Sequence, residues 1–149
     1  MNDSPRVRYA SQRERGAWNL ATLFHARVVE TIERVLSERF GLSLSEYMAL
    51  DALAEAPTEA GLRMQALSEV IGLNQSSVSR LVARLEGEDL VQRNVHLRDR
   101  RGVHAHITEK GREVHGAAVP VYLQTLATAF DRAIADPELR DFVLSIAKP

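Results

Sequence analysis

Residues 63–111 read RMQALSEVIGLNQSSVSRLVARLEGEDLVQRNVHLRDRRGVHAHITEKG. Two helical patterns flank a Gly72-Leu73-Asn74 turn, and an arginine-rich hairpin pattern follows directly. In the second helix Val78, Leu81, Val82 and Leu85 stand at i, i+3, i+4 and i+7. That is the one-sided apolar stripe of a helix held on a core. Asn74 supplies the N-cap, because its amide oxygen can accept an N–H that the first turn leaves open. Val91 and Val95, then Val103, Ala105 and Ile107, alternate with polar residues. A period of two specifies paired strands, with the hairpin tip at about 98–102. Few folds place two short helices, a tight turn and a basic hairpin in that order.

The flanking sequence is helical. From about Ser11 to Arg39 the apolar positions Trp18, Ala21, Phe24, Val28, Ile32 and Val35 repeat at helical spacing, and Gly41 suits a C-cap. Ser43-Leu44-Ser45-Glu46 has capping-box spacing and predicts a second helix to about Ala54, burying Tyr47, Leu50 and Leu53. Residues 57–61 read as a loop. A third helix covers about 64–71 with Leu67 and Val70 inward. Thr108 can cap a fifth helix that carries Val114, Ala118, Val121, Thr125 and Ala129. Pro120 is expected to kink or divide it. Asp136-Pro137 reads as an N-cap with proline at the first helical position, opening a last helix that uses Leu139, Phe142, Val143 and Ile146. The two terminal helical regions are long and apolar on one face. A single copy has little else to cover them, so a C2 homodimer is expected.

Bulk properties exclude more than they assign. At 149 residues and 45% apolar the chain can build one domain with its own core. It has no cysteine, which removes disulfides, thiolate metal sites and thiol redox switching. No apolar run is long enough to span a membrane, and the N-terminus lacks the apolar core of a secretory signal. A cytoplasmic location with no membrane partner is expected. The formal net charge is −1, so a nucleic-acid partner would need a basic face rather than a basic total. Residues 91–101 hold Arg93, Arg98, Arg100 and Arg101 against Asp99 alone. Arg6, Arg8, Arg13 and Arg15 crowd the start, and acidic residues collect around 30–46 and 55–59.

With its stripe inside, the helix after Asn74 turns Gln75, Ser76, Ser77, Ser79, Arg80 and Arg84 outward. Short hydroxyls let a helix sink into a major groove. Glutamine can bond an adenine edge, arginine a guanine edge, and serine a base edge or a phosphate. A purely solvated face would be better served by Glu, Lys or Ala than by three serines. At the hairpin tip Arg98, Arg100 and Arg101 repel one another unless phosphates or a minor groove neutralise them. Asp99 can hold one of them by a bidentate contact. The competing reading, two solvated charged faces, explains neither the serines nor the arginine cluster.

At this point the chain resembles the MarR-type winged helix-turn-helix transcriptional regulators. The resemblance covers about residues 15–147. It rests on LSLSEYMALDAL (42–53), LNQSSVSRLVARLEGEDLVQR (73–93) and RDRRGVHAHITEKG (98–111), above all on Asp99-Arg100-Arg101 and on the T-x-x-G of Thr108–Gly111. It implies a fold that is mainly α with a small β-hairpin wing, a single MarR-like domain over 1–149. Within it a winged helix-turn-helix DNA-binding lobe would cover 43–107, with N- and C-terminal dimerisation helices at 11–39 and 108–147. It implies a recognition helix at about 75–88 in the major groove and a wing at 98–102 in the minor groove. Arg101 would be the groove-inserting arginine and Asp99 its orienting partner. It further implies a homodimer on a pseudo-palindromic double-stranded DNA operator, commonly as a repressor released by a small aromatic or anionic effector.

Under that resemblance an effector would lie among Trp18, Phe24, His25, Tyr47, Met48 and Tyr122, although aromatic residues at helical spacing are more often plain core. His96, His104 and His106 lack the carboxylate or further histidine that a metal site adds, so no metal and no cofactor is expected. No Gly-rich phosphate loop, nucleophile elbow or His-x-x-x-His pair is present, and an enzyme is not expected. The alternatives are a winged-helix DNA-binding protein without an effector, or a winged-helix module that binds protein.

Overall fold

The computed structural model describes residues 7–95 and 102–147. The chain divides into a unit of residues 32–125 and a unit formed by 1–31 with 126–149. Helix α1 (Gln12–Phe40) and helix α5 (Glu109–Ala135) contribute to both.

In the 32–125 unit, α2 (Leu44–Ala54) starts where the sequence signals it. The Ser43 hydroxyl accepts the Glu46 N–H at 3.1 Å and Glu46 Oε2 accepts the Ser43 N–H at 2.8 Å, which fills two of the donors a helix start leaves open. Glu33 Oε1 of α1 accepts the next one, from Leu44, at 3.1 Å. Tyr47, Ala49, Leu50 and Leu53 are buried.

Helix α3 (Met64–Ile71) buries Leu67, Ser68 and Ile71. The expectation for Val70 is overturned: it is 61% exposed. Leu67 and Ile71, four apart, define the inner face, and Val70 falls outside their arc. Gly72 then ends α3 at φ 70°, a left-handed conformation that suits glycine. Two residues later Asn74 Oδ1 accepts the Ser77 N–H at 2.9 Å and opens α4 (Gln75–Gly87). Val78, Val82 and Leu85 are buried and Leu81 packs on the same cluster.

The sheet has three strands in the order β1-β3-β2, all antiparallel. The expected pair β2 (Val91–Val95) and β3 (Val103–Ile107) aligns Val91 with Ile107 and Val95 with Val103. The third strand, β1 (Leu62–Arg63), pairs Leu62 with Ala105. Two residues carry no alternation, so it left no trace in the sequence pattern.

The T-x-x-G turn has a physical account. The Thr108 hydroxyl donates to the Asp89 carbonyl at 2.6 Å and accepts the Gly111 N–H at 3.0 Å. Gly111 itself packs so closely that a Cβ there would stand 2.1 Å from the Leu90 carbonyl oxygen. Helix α5 then continues through Pro120 without division. The proline forgoes one bond to the Gly116 carbonyl, and both residues are exposed, so water can satisfy that oxygen.

In the second unit Phe24 of α1 meets Phe130 of α5 edge-on at 5.0 Å and Phe142 of α6 (Arg140–Ile146) at 6.1 Å, the geometry that aromatic quadrupoles favour. Leu139 and Val143 are fully buried beside them. Helix α6 opens later than expected. Asp136 Oδ1 accepts the Glu138 N–H at 2.8 Å in a turn, and Arg27 pairs with the same carboxylate. The pair with Arg27 holds the Asp136 carboxyl below its ordinary range. Ile146, expected inward, is 53% exposed.

The start of α1 holds a reciprocal cap of its own. Ser11 Oγ accepts the Glu14 N–H at 3.2 Å and Glu14 Oε2 accepts the Ser11 N–H at 2.7 Å. Arg8 adds an ion pair at 2.8 Å, and the Glu14 carboxyl is lowered to about 2 by Arg8 first and Ser11 second. No described helix is long and apolar enough to cross a membrane.

Candidate nucleic-acid interface

The outer face of α4 is built from its cap outward. Asn74 Oδ1 accepts both the Ser77 N–H and, at 2.8 Å, the Ser76 hydroxyl. Ser76 therefore reinforces the cap while staying on the surface, and Ser77 is half-buried. Gln75, Ser79 and Arg80 are exposed. Arg80 has no ion pair among the described residues, so its five donors stay available.

Gln75 and Ser79 line a recess of about 350 Å³ together with Arg63, Gln65, Arg93 and Val103. Helix face, β1 and wing root thus converge on one concavity that carries two arginines. Arg63 and Gln65 were not singled out from the sequence, and Arg93 was counted only within the basic run of residues 91–101. Arg63 ends a strand too short to leave a pattern, Gln65 lies in the first turn of α3, and the fold brings both beside α4.

Arg93 also has a structural task. Its Nε donates to Glu86 Oε2 at 2.8 Å, and its backbone N–H donates to Glu86 Oε1 at 3.2 Å. That two-point contact ties the wing's first strand to the last turns of α4. It holds the Glu86 carboxyl below its usual range, with Arg93 the leading cause. Arg84 differs most from expectation. It stays on the surface, but its guanidinium is engaged by Glu46 at 3.0 Å and by the Gly41 carbonyl at 3.1 Å. The wing residues Arg98, Asp99, Arg100 and Arg101, with His96, lie outside the described residues. Of the other wing histidines, His106 contacts Gln92 at 3.2 Å and Asn94 at 3.5 Å on the outer face of the hairpin.

The residues considered for an effector separate. Phe24 belongs to the aromatic core of its unit, Trp18 is 70% exposed, and His25 is exposed. In the 32–125 unit Tyr47 is buried and stacks on Tyr122 at 4.4 Å and on His115 at 5.9 Å. His115 Nε2 lies 2.7 Å from Asp51 Oδ1. Burial first, and then the carboxylate of Asp51, push the Tyr47 hydroxyl up to about 12. Met48 is 38% exposed. The fold stacks Tyr47 on Tyr122, with His115 and Asp51 as companions that the sequence reading missed.

Comparison with known proteins agrees with this geometry. Residues 40–102 match the model of the MarR family. An uncharacterized HTH-type transcriptional regulator of Bacillus subtilis, YkoM, is 24% identical over 141 residues, covering 93% of this chain and 90% of that protein. Sco3205 of Streptomyces coelicolor, a MarR family transcriptional regulator solved in complex with DNA, is 28% identical with a TM-score of 0.77, over 96% of this chain and 88% of that one. BpsR of Bordetella bronchiseptica shares the fold at 19% identity and a TM-score of 0.70, over 87% of this chain and 93% of its own. The capped α3–turn–α4 pair and the three-stranded sheet thus go with a likeness to the MarR family of transcriptional regulators, in sequence over residues 40–102 and in fold over nearly the whole chain.

Proposed function

We propose that the chain is a homodimeric, sequence-specific DNA-binding regulator that acts as a repressor on a pseudo-palindromic operator. The observation that carries this reading is the outer face of α4. Gln75, Ser79 and Arg80 are exposed on a helix whose opposite side is fixed by Val78, Val82 and Leu85. The face opens into the recess with Arg63 and Arg93. Such a face suits base edges, while Asn74, Ser76 and the first-turn N–H groups suit phosphate. Arg98, Asp99, Arg100 and Arg101 would reach the neighbouring minor groove, Arg101 inserting and Asp99 orienting it. The DNA-bound state of Sco3205 supports the same use here.

A homodimer is supported by apolar surface on the unit of 1–31 and 126–149, where Trp18, Leu144 and Ile146 are exposed at 70%, 40% and 53%. Residues of this kind gathered on terminal helices fit a self-complementary interface. Release by a small molecule is the regulatory part of the reading. BpsR is a protein whose DNA binding is regulated by 6-hydroxynicotinic acid. In this chain the Tyr47–Tyr122 stack is where an aromatic acid would have most to exchange with. No catalytic role is proposed.

Selection from a randomised pool of DNA duplexes tests the reading. The expected product is a pair of inverted half-sites whose centres lie about 10 base pairs, or a multiple of that, apart, as a two-fold protein requires. Recovery of unenriched sequence, or of a single half-site, would remove the sequence-specific dimer.

A further inference from the structure

Arg84 sits on the surface of the recognition helix one turn beyond Arg80, and spacing alone assigns both to DNA. Its partners say otherwise. Glu46 is 4% exposed, and among the described residues it is the one charged side chain that is buried. The capping box needs only one of its oxygens, and Oε2 fills that role at the Ser43 N–H, 2.8 Å away. The other oxygen, Oε1, faces Arg84 Nε at 3.0 Å. A carboxylate taken out of water needs such a partner. Arg84 Nη2 donates onward to the Gly41 carbonyl at 3.1 Å, and Gly41 at φ 66° is the residue on which α1 stops. One planar guanidinium thereby joins the end of α1, the first turn of α2 and the last turns of α4.

We propose that Arg84 is a positioning residue: with Glu46 and the Gly41 carbonyl it fixes the angle at which α4 is presented to DNA. It does not grip a phosphate. The proposal rests on the DNA-binding reading above. The clamp also gives any displacement of the end of α1 a direct path to the recognition helix, because the Gly41 carbonyl and the α4 side chain share a hydrogen bond. Glu86–Arg93 does the same for the wing's first strand, so α4 is braced on two sides by acid–arginine pairs.

The test is a salt titration of binding to a duplex that the wild-type protein selects from a randomised pool. The variants are Arg84→Met, Arg84→Lys, Glu46→Gln and Glu46→Gln/Arg84→Met. A positioning role predicts that Arg84→Met weakens binding about tenfold, within the range of coupled neighbours, with the slope of log K against log salt unchanged. Arg84→Lys recovers little, since an ammonium lacks the fork that spans two acceptors. Glu46→Gln, buried away from DNA, weakens binding comparably, and the double variant is no worse than either single one. A direct grip on phosphate predicts the opposite. The slope becomes shallower by about 0.9 for each phosphate no longer neutralised, Arg84→Lys stays near wild type, and Glu46→Gln is silent; that pattern overturns the proposal. Should Glu46→Gln fail to fold, the slopes of the two Arg84 variants decide alone. Should wild-type protein bind no duplex, the DNA-binding reading falls. Amide exchange then judges the clamp: faster exchange over residues 82–87 in Arg84→Met supports it, and unchanged exchange overturns it.

Discussion

Gly61→Ala is expected to destabilise the protein by roughly 3–5 kcal/mol, the range in which a single substitution signals a backbone collision. Gly61 adopts φ 77°, and a Cβ there would lie 1.9 Å from the Ala105 carbonyl oxygen and 2.8 Å from the His106 Cα. Both obstacles are backbone of β3, so no rotamer change relieves them. The strain of a left-handed non-glycine residue adds to the overlap. Gly61 also delivers the chain into β1, and its displacement would unseat Leu62 and Arg63 from the edge of the sheet. The melting temperature should fall by about 10 °C or more, and DNA affinity should fall with it, because Arg63 leaves the recess. Gly116→Ala is the matched control. It lies inside α5 with nothing within 4 Å of the added atom, and a glycine-to-alanine change in an open helix should stabilise by roughly 0.5–1 kcal/mol. Equal effects at the two glycines, read by thermal unfolding, would refute the packing argument.

Arg101→Ala is expected to weaken operator binding by roughly 10- to 100-fold, the equivalent of about 1.5–3 kcal/mol for removal of a charged hydrogen-bonding group. Thermal stability should be untouched. The proposed mechanism is insertion of one guanidinium into a narrow minor groove, where the negative potential is strongest. Its companion experiment separates positioning from bulk charge. Asp99→Asn removes a negative charge, so simple attraction to DNA predicts tighter binding. If Asp99 orients Arg101, affinity falls instead, since the freed side chain must be ordered on binding. Tighter binding by Asp99→Asn in a gel-shift titration would contradict the orienting role.

The parts of the fold that were legible in the sequence are those set by neighbours within one turn or one pleat. Val78, Val82 and Leu85 announced the inner face of α4. Ser43 with Glu46, and Asn74, announced two helix starts. Thr108 announced the start of α5, and the glycine of its T-x-x-G match gained a physical reason once Leu90 was seen against it. What was hidden depends on distance along the chain. Strand β1 exists because Ala105 pairs with Leu62, and two residues cannot advertise that. The partners of Arg84 were hidden for the same reason: the Gly41 carbonyl lies 43 residues away. Val70 was misjudged because a short helix gives too few turns to fix its inner arc. Asp136 resembled an N-cap and caps a turn instead, which postpones α6 to Arg140. In the candidate site, Gln75, Ser79 and Arg80 were visible from the stripe they oppose, whereas Arg63 entered only through the sheet, which also sets Arg93 of the basic run beside α4.

The central claim is that the exposed face of α4 reads bases. Its most direct measurement is the base preference of wild type, Gln75→Ala and Arg80→Ala, each compared on the selected duplex and on every single-base variant of one half-site. The account predicts that each substitution flattens discrimination at one or two positions by roughly 1–3 kcal/mol and leaves the other positions as they were. A uniform loss of affinity across all sequences, with discrimination intact, would show that these side chains touch only the DNA backbone and would contradict it.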